Sequence, residues 1–305
     1  MSTRRPVRGG GALAALLVVA VAVFGLAGCG DDNEEGGGTT TTSAASRSTT
    51  TTTTARSTTS QAGGSTSTPG RTGEVRVYFV RNERVGAARR TGPAGTPARA
   101  AMEALLAGPT SADTAAGLGT AIPEGTKLLG LTVADDRAVV DLSSQFGSGG
   151  GSLSMQARVA QVVYTLTQFP NVRSVVFEME GKPVEALGGE GLVLTKPQSR
   201  ADWEALTPAI LVEDPLPGDA VTSPFHVTGT ANTFEATFIV TLIDSKGAKV
   251  YEQPAMATSG TGTRGTFDVT LSFTGAASGT GTLRVWESSA KDGSPINVVE
   301  IPVRL

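Results

Sequence analysis

From residue 75 the chain alternates in polarity. Val75, Val77 and Phe79 take turns with Arg76, Tyr78 and Val80, the period of two that marks a strand. A loop with Gly92, Pro93 and Gly95 leads to Thr96-Pro97, where Thr as N-cap and Pro at the first helical position predict a helix start. Met102, Leu105 and Leu106 share one face of that helix, and Gly108-Pro109 ends it. Leu129, Leu131 and Val133 predict a strand, Asp135-Asp136-Arg137 a tight turn, and Ala138 to Leu142 the returning strand. Val159, Val162, Val163, Leu166 and Phe169 repeat at helical spacing, so a second helix, capped by Ser152 or Ser154, packs one face on a sheet. Pro170-Asn171 stops it, Val172 to Met179 is a further strand, Glu180-Gly181-Lys182 turns toward Pro183-Val184, and a short strand near Leu192 to Leu194 closes the series. The order β-α-β-β-α-β over residues 73–198 predicts an α+β domain with helices on one face of a small mixed sheet.

After a linker at 199–208 the rhythm changes. Short strands separated by turn signals predict an all-β sandwich over 209–305. Ala209 to Val212 opens it, and Phe225 and Val227 alternate with His226 and Thr228. Ala236 to Ile243 reads as a central strand followed by the hairpin loop Asp244-Ser245-Lys246-Gly247. Phe267, Val269, Leu271 and Phe273 alternate with polar residues. Leu283, Val285 and the series Val299, Ile301, Val303 and Leu305 complete the pattern, with Pro302 marking the last strand as an edge.

Ahead of both folds lies a segment of a different kind. Arg4, Arg5 and Arg8 precede an apolar run from Ala12 to Leu26, long enough for a secretory signal and short for a membrane span of about 20 residues. It ends in Leu26-Ala27-Gly28-Cys29, which resembles the bacterial lipobox. That resemblance implies removal of residues 1–28 and a diacylglyceryl group on Cys29, the only cysteine in the chain. Two acyl chains, at about 0.8 kcal/mol per buried CH₂, hold a protein stably where one is marginal. Residues 29–72 follow as a tether. Asp31, Asp32, Glu34 and Glu35 open it, and a Gly, Ser and Thr tract continues it with almost no apolar surface to offset chain entropy. Such a tether is expected to be disordered, with an r.m.s. reach of roughly 36 Å. Ser/Thr-rich stalks are also substrates for O-glycosylation.

The net charge of −3 without a basic run after the signal argues against nucleic acid as a partner, and an aromatic content of 5% disfavours a carbohydrate cleft of stacked rings. The single histidine, His226, sits at a solvent-side strand position, so a Ser-His-Asp triad or a soft metal site has little to draw on, and no cofactor is expected. Gly147-Ser148-Gly149-Gly150-Gly151-Ser152 precedes a helix as phosphate-cradling loops do, but lacks the ending of a P-loop, and is expected to be a flexible approach to the helix. Asp135-Asp136 and Asp292-Gly293 are expected to set turns. Asn232, Glu235, Arg264, Lys291 and Asp292 lie on loops that can converge at the sandwich ends. They are either turn residues, with Arg264 pairing Glu235, or a recognition surface for an envelope protein or wall glycan.

Ile122-Pro123-Glu124-Gly125-Thr126-Lys127-Leu128-Leu129, Ala138 to Ser144, Gln161 to Pro170 and Val175 to Val184 resemble the GerMN domain of sporulation and spore germination proteins. Ser223-Pro224, Gly229 to Ala236, Arg264 to Phe267 and Gly281 to Gly293 resemble the immunoglobulin-like domain of bacterial spore germination proteins. The first resemblance implies an assembly module rather than a catalyst. The expected protein is a non-enzymatic scaffold, lipid-anchored on the extracytoplasmic face of the cell membrane. A ligand-binding lipoprotein for a small molecule or wall fragment is the main competing reading, and an envelope-polymer hydrolase a minor one.

Overall fold

The first strand is half of a hairpin. In the computed structural model, which describes residues 71–189, 191–273 and 278–305, β1 (Thr72–Arg81) pairs antiparallel with β2 (Arg84–Pro93). Asn82 and Glu83 turn the chain at φ 50° and 61°, the left-handed pair a two-residue hairpin needs. No alternation announces β2, because its buried centre is Gly86-Ala87-Ala88. A Cβ on Gly86 would stand 2.8 Å from Leu118 Cδ2, so small residues are what the packing admits. The signal segment, the lipobox with Cys29 and all but the end of the tether lie outside the described residues.

Helix α1 (Pro97–Leu106) follows with Pro97 in its first turn and Met102 and Leu105 buried, although Thr96 makes no side-chain cap bond. The short α2 (Ser111–Ala115) has a reciprocal capping box between Thr110 and Asp113. Strands β3 (Leu128–Ala134), β4 (Arg137–Leu142), β5 (Ser174–Met179) and β6 (Lys182–Pro183) form a mixed sheet in that order, with β4 and β5 parallel. A bulge between Leu128 and Gly130 turns Leu129 outward, while Leu128, Leu131 and Val133 pack on the core. Between β4 and β5 runs α3 (Ser152–Leu166), with β7 (Ala186–Leu187) and β8 (Leu192–Val193) as a small separate pair. The α+β class stands, with two additions: a second strand after β1, and three sheets in place of one.

Helix α3 departs from the expected one-faced packing. It contacts the hairpin, β5 and β8, and is buried on all sides from Ala157 to Leu166. Its polar residues are satisfied inside. Gln161 accepts the Ala121 amide at 2.8 Å, and Thr165 accepts the Tyr78 amide at 3.1 Å. Gly151, rather than a serine, occupies its N-cap.

The C-terminal part is a sandwich of two sheets. β13 (Gly265–Leu271), β10 (Phe225–Ala231) and β9 (Ile210–Asp214) make one; β12 (Lys249–Met256), β11 (Thr237–Ile243), β14 (Thr280–Ser288) and β15 (Pro295–Arg304) make the other. Val227, Phe267 and Leu271 face Phe238, Val240, Leu283, Val285 and Ile301 across an apolar core, with the Phe238 and Phe267 ring centroids 4.7 Å apart. β11 is central, as its apolar run predicts, and both edge strands of its sheet carry a proline, Pro254 in β12 and Pro302 in β15. β12 escapes the sequence pattern because an edge strand is solvated along most of its length. Among the described residues, no helix is long and apolar enough to cross a membrane.

Candidate functional site

Residues 199–208, expected as a linker, fold into a one-piece joint. Ser199 and Asp202 cap a 3-10 helix over Arg200–Leu206, and its Trp203 and Leu206 are buried in the first core together with Leu211 and Leu216 from the sandwich side. The described residues accordingly fall within one compact unit.

Arg200 is the centre of this joint. Its guanidinium carbon lies 5.2 Å from the Tyr78 ring centroid and 4.7 Å from that of Tyr164, while Nη1 donates to Glu213 at 2.8 Å and Nε to Thr167 at 2.9 Å. Tyr78 is fully buried and its hydroxyl donates to Glu213, and the Tyr164 hydroxyl bonds Thr207. Burial alone would raise the Glu213 carboxyl, but Arg200, the Tyr78 hydroxyl and Arg76 outweigh it and hold the group below the usual carboxylate range. Burial and the Glu213 charge push the Tyr78 phenol up. Gln168 braces the same strand, accepting the Arg76 amide at 2.8 Å and donating to the Arg76 carbonyl at 2.6 Å. A second contact joins the folds farther along β2: Arg89 bonds Asp219 at 2.8 Å and also pairs with Asp214 and Glu74.

Of the five residues considered for a recognition surface, two meet. Arg264 grips both oxygens of Glu204, with Nε at 2.8 Å from Oε2 and Nη2 at 2.9 Å from Oε1, and also donates to the Pro208 carbonyl at 2.8 Å. Asn232 donates to Glu204 Oε1 at 3.1 Å. The expected Arg264–Glu235 pair does not form. Glu235 sits exposed at φ 53° with its amide on Thr261, whereas Glu204 presents a bidentate carboxylate from the joint. Lys291 and Asp292 stay apart in an exposed turn, where Asp292 accepts the Ser294 amide at 3.1 Å. Desolvation opposes ionisation of Glu204, but Arg264 and Asn232 overcome it and hold the carboxyl low.

Beside this pair a cleft of about 380 Å³ opens between the β1–β2 turn and the start of β15. Arg81, Arg84, Asn232 and Arg264 line it with Glu204 and Val298. Arg81, Arg84, Arg200 and Glu204 escaped notice because each lies in a segment that reads as a turn or linker. Tyr78 and Tyr164, two of only three tyrosines, were the available signal.

The glycine loop before α3 holds a cation of its own. Arg158, 3% exposed, donates to the carbonyls of Ala121, Phe146, Ser148 and Gly149 at 2.6–2.9 Å. Gly149 and Gly150, at φ 57° and 81°, let the loop wrap with its carbonyl oxygens inward, which is the wrong polarity for phosphate. Asp135 and Asp136, both at positive φ, make the expected tight turn, with Asp136 pairing Arg173 at 3.1 Å. Among the described residues, no group of three or more His, Cys, Asp or Glu side chains is placed to hold a metal ion.

His226 lies on the solvent side of β10, 2.6 Å from Asp268, with both side chains about 60% exposed. Solvent screens such a pair. His226→Ala is expected to change stability by no more than about 0.5 kcal/mol in urea unfolding.

Residues 76–185 match the Germane family, sporulation and spore germination, and residues 209–294 match Gmad2, the immunoglobulin-like domain of bacterial spore germination. Among solved structures, the first GerMN domain of the sporulation protein GerM from Bacillus subtilis is 24% identical with a TM-score of 0.35, over 42% of this chain and 98% of that one. The tandem GerMN domains of GerM are 18% identical at 0.37, over 60% of each chain. A candidate lipoprotein from Clostridium perfringens is 22% identical at 0.33, over 45% of this chain and 93% of that one. Comparison with curated proteins finds no match. The chain thus carries a GerMN domain of the sporulation and spore germination family, followed by the immunoglobulin-like domain of bacterial spore germination proteins.

Proposed function

We propose that this protein is a non-enzymatic scaffold of the bacterial cell envelope, anchored to the outer face of the cell membrane through a diacylglyceryl group on Cys29 and presented to partners by the Ser/Thr-rich segment. The observation that carries the reading is the partly buried Arg200–Tyr78–Tyr164–Glu213 cluster, which welds a GerMN fold and an immunoglobulin-like fold into one body. A rigid pair of non-catalytic folds suits a part that sets the spacing and orientation of its neighbours. The signal-like start ending in Leu26-Ala27-Gly28-Cys29 supports the address.

Crosslinking and affinity capture from intact cells test this, comparing the natural chain with Cys29→Ser. The natural chain is expected in the membrane fraction with a reproducible set of envelope neighbours, and the variant is expected to be released and to lose them. An unmodified Cys29 in the mass of the mature N-terminal peptide, or unchanged neighbours in the released variant, would overturn the anchored scaffold.

A further inference from the structure

We infer that the cleft between the β1–β2 turn and β15 is a docking site for an acidic, extended peptide segment of a partner protein. The inference rests on the scaffold reading and names the chemistry of its partner. The first ground is charge. Three arginines, 81, 84 and 264, face one acid, Glu204, whose oxygens are already taken by Arg264 and Asn232. Arg81 and Arg84 form no salt bridge among the described residues, although the Arg84 charge reaches the Glu204 carboxylate. Their bonds go to backbone carbonyls, from Arg81 Nη1 to Glu300 at 3.3 Å and from Arg84 Nη1 to Ala205 at 2.8 Å and Thr207 at 3.1 Å. Each guanidinium is therefore held in orientation by one nitrogen, with further donors open, the state in which a fork grips a carboxylate. Nearby acids do not cancel this charge: Glu83 does not line the cleft, and Glu300 turns to Arg284 at 3.6 Å. Burial pushes the Arg81 guanidinium below its ordinary value, the mark of a cation lacking a counter-charge.

The second ground is the wall opposite. β15 is an edge strand whose later half is covered, the Gly218 amide donating to Pro302 and the Val221 amide to Arg304, each at 2.8 Å. Before Glu300, its outer edge takes no backbone partner among the described residues. Ile296 and Val298, each 41% exposed, stand there as apolar neighbours. Open backbone, apolar side chains and facing arginines are the three elements by which an extended peptide adds to a sheet edge. A free anion would need only the arginines.

The test is fluorescence anisotropy of the full chain with a labelled octapeptide of alternating Glu and Val, the matching Gln–Val peptide, and polygalacturonate as a non-peptide competitor. The Glu–Val peptide is expected to bind, to weaken with added salt, and to lose about tenfold in affinity with either Arg81→Ala or Arg84→Ala. Val298→Asp, on an exposed side chain, supplies a second variant that repels the peptide while the fold is kept. Equal binding of the Gln–Val peptide, no binding at all, indifference to all three substitutions, or displacement by polygalacturonate at equal carboxylate concentration would overturn the proposal. Failure here leaves the Cys29 crosslinking result untouched, so the cleft and the anchored scaffold fall separately.

Discussion

Arg200→Ala is expected to lower the unfolding free energy by about 3–5 kcal/mol, because it removes the ion-pair partner of Glu213, whose side chain is 13% exposed, and leaves it only the charge of Arg76. For a folded region of this size each kcal/mol is worth roughly 2–4 °C, so a loss of about 10 °C in Tm is expected by calorimetry. The transition should also change shape. With the joint intact the two folds unfold together; without it they are expected to part into two transitions. Arg200→Lys should recover little, since an ammonium neither spreads over two tyrosine rings nor offers a planar fork. A single transition within 2 °C of the natural protein would refute the role given to this cluster. The same site sets a pH dependence. The Glu213 carboxyl is depressed in the fold, so its contribution is complete above the unfolded value near 4.3 and drains away as pH falls through the folded one. The Tyr78 phenol is raised, so its contribution is complete below about pH 10 and is lost as pH rises beyond it.

Arg158→Met is expected to cost a similar amount, about 3–5 kcal/mol, for a different reason. Met fills much of the same volume, but the carbonyls of Ala121, Phe146, Ser148 and Gly149 lose their donor together. Each unsatisfied buried carbonyl costs roughly 1–3 kcal/mol, less where the loop can move toward water. Arg158→Lys should restore less than half, because three donors on one nitrogen cannot span four carbonyls. Urea unfolding measures the loss, and hydrogen exchange of the amides at 147–151 shows whether the loop opens locally or the whole fold weakens. A cost under 1 kcal/mol for Met would mean that water replaces the guanidinium. The contrast with His226 lies in burial: both side chains bond polar partners, but Arg158 is 3% exposed and has no water to fall back on, whereas His226 is about 60% exposed.

Much of the first fold is legible as pattern. The repeat from Val159 to Leu166 is enough for a helix, and the positive-φ turn at Asp135-Asp136 is enough for the hairpin of β3 and β4. The burial of the polar face of α3 is not, because the partners of Arg158, Gln161 and Thr165 arrive from 37, 40 and 87 residues away. A polar residue at helical spacing looks the same whether water or a distant backbone amide satisfies it. β2 stays hidden for a related reason: Gly86-Ala87-Ala88 has the propensity of a loop, and only the closeness of Leu118 shows why small residues stand in a buried strand. Within the candidate site, Asn232 and Arg264 were visible as loop polars, but their shared partner Glu204 was not, since it belongs to a segment that reads as a spacer.

Local order determined by sequence alone therefore covers the strands other than β2 and β12, the longer helices, the tight turns and the two fold classes, all of which depend on neighbours a few residues apart. The lipobox-like stretch is local in the same sense, a reading of adjacent residues whose chemistry the Cys29 experiment decides. Tertiary structure alone decided that residues 199–208 are a weld, that Arg264 belongs to Glu204, and that Arg81 and Arg84 share a cleft with β15. The reason is physical. Ion pairs and hydrogen bonds act over a few ångströms of space, and folding brings Tyr78 to Glu213 and Arg81 to Glu300 across 135 and 219 residues of chain.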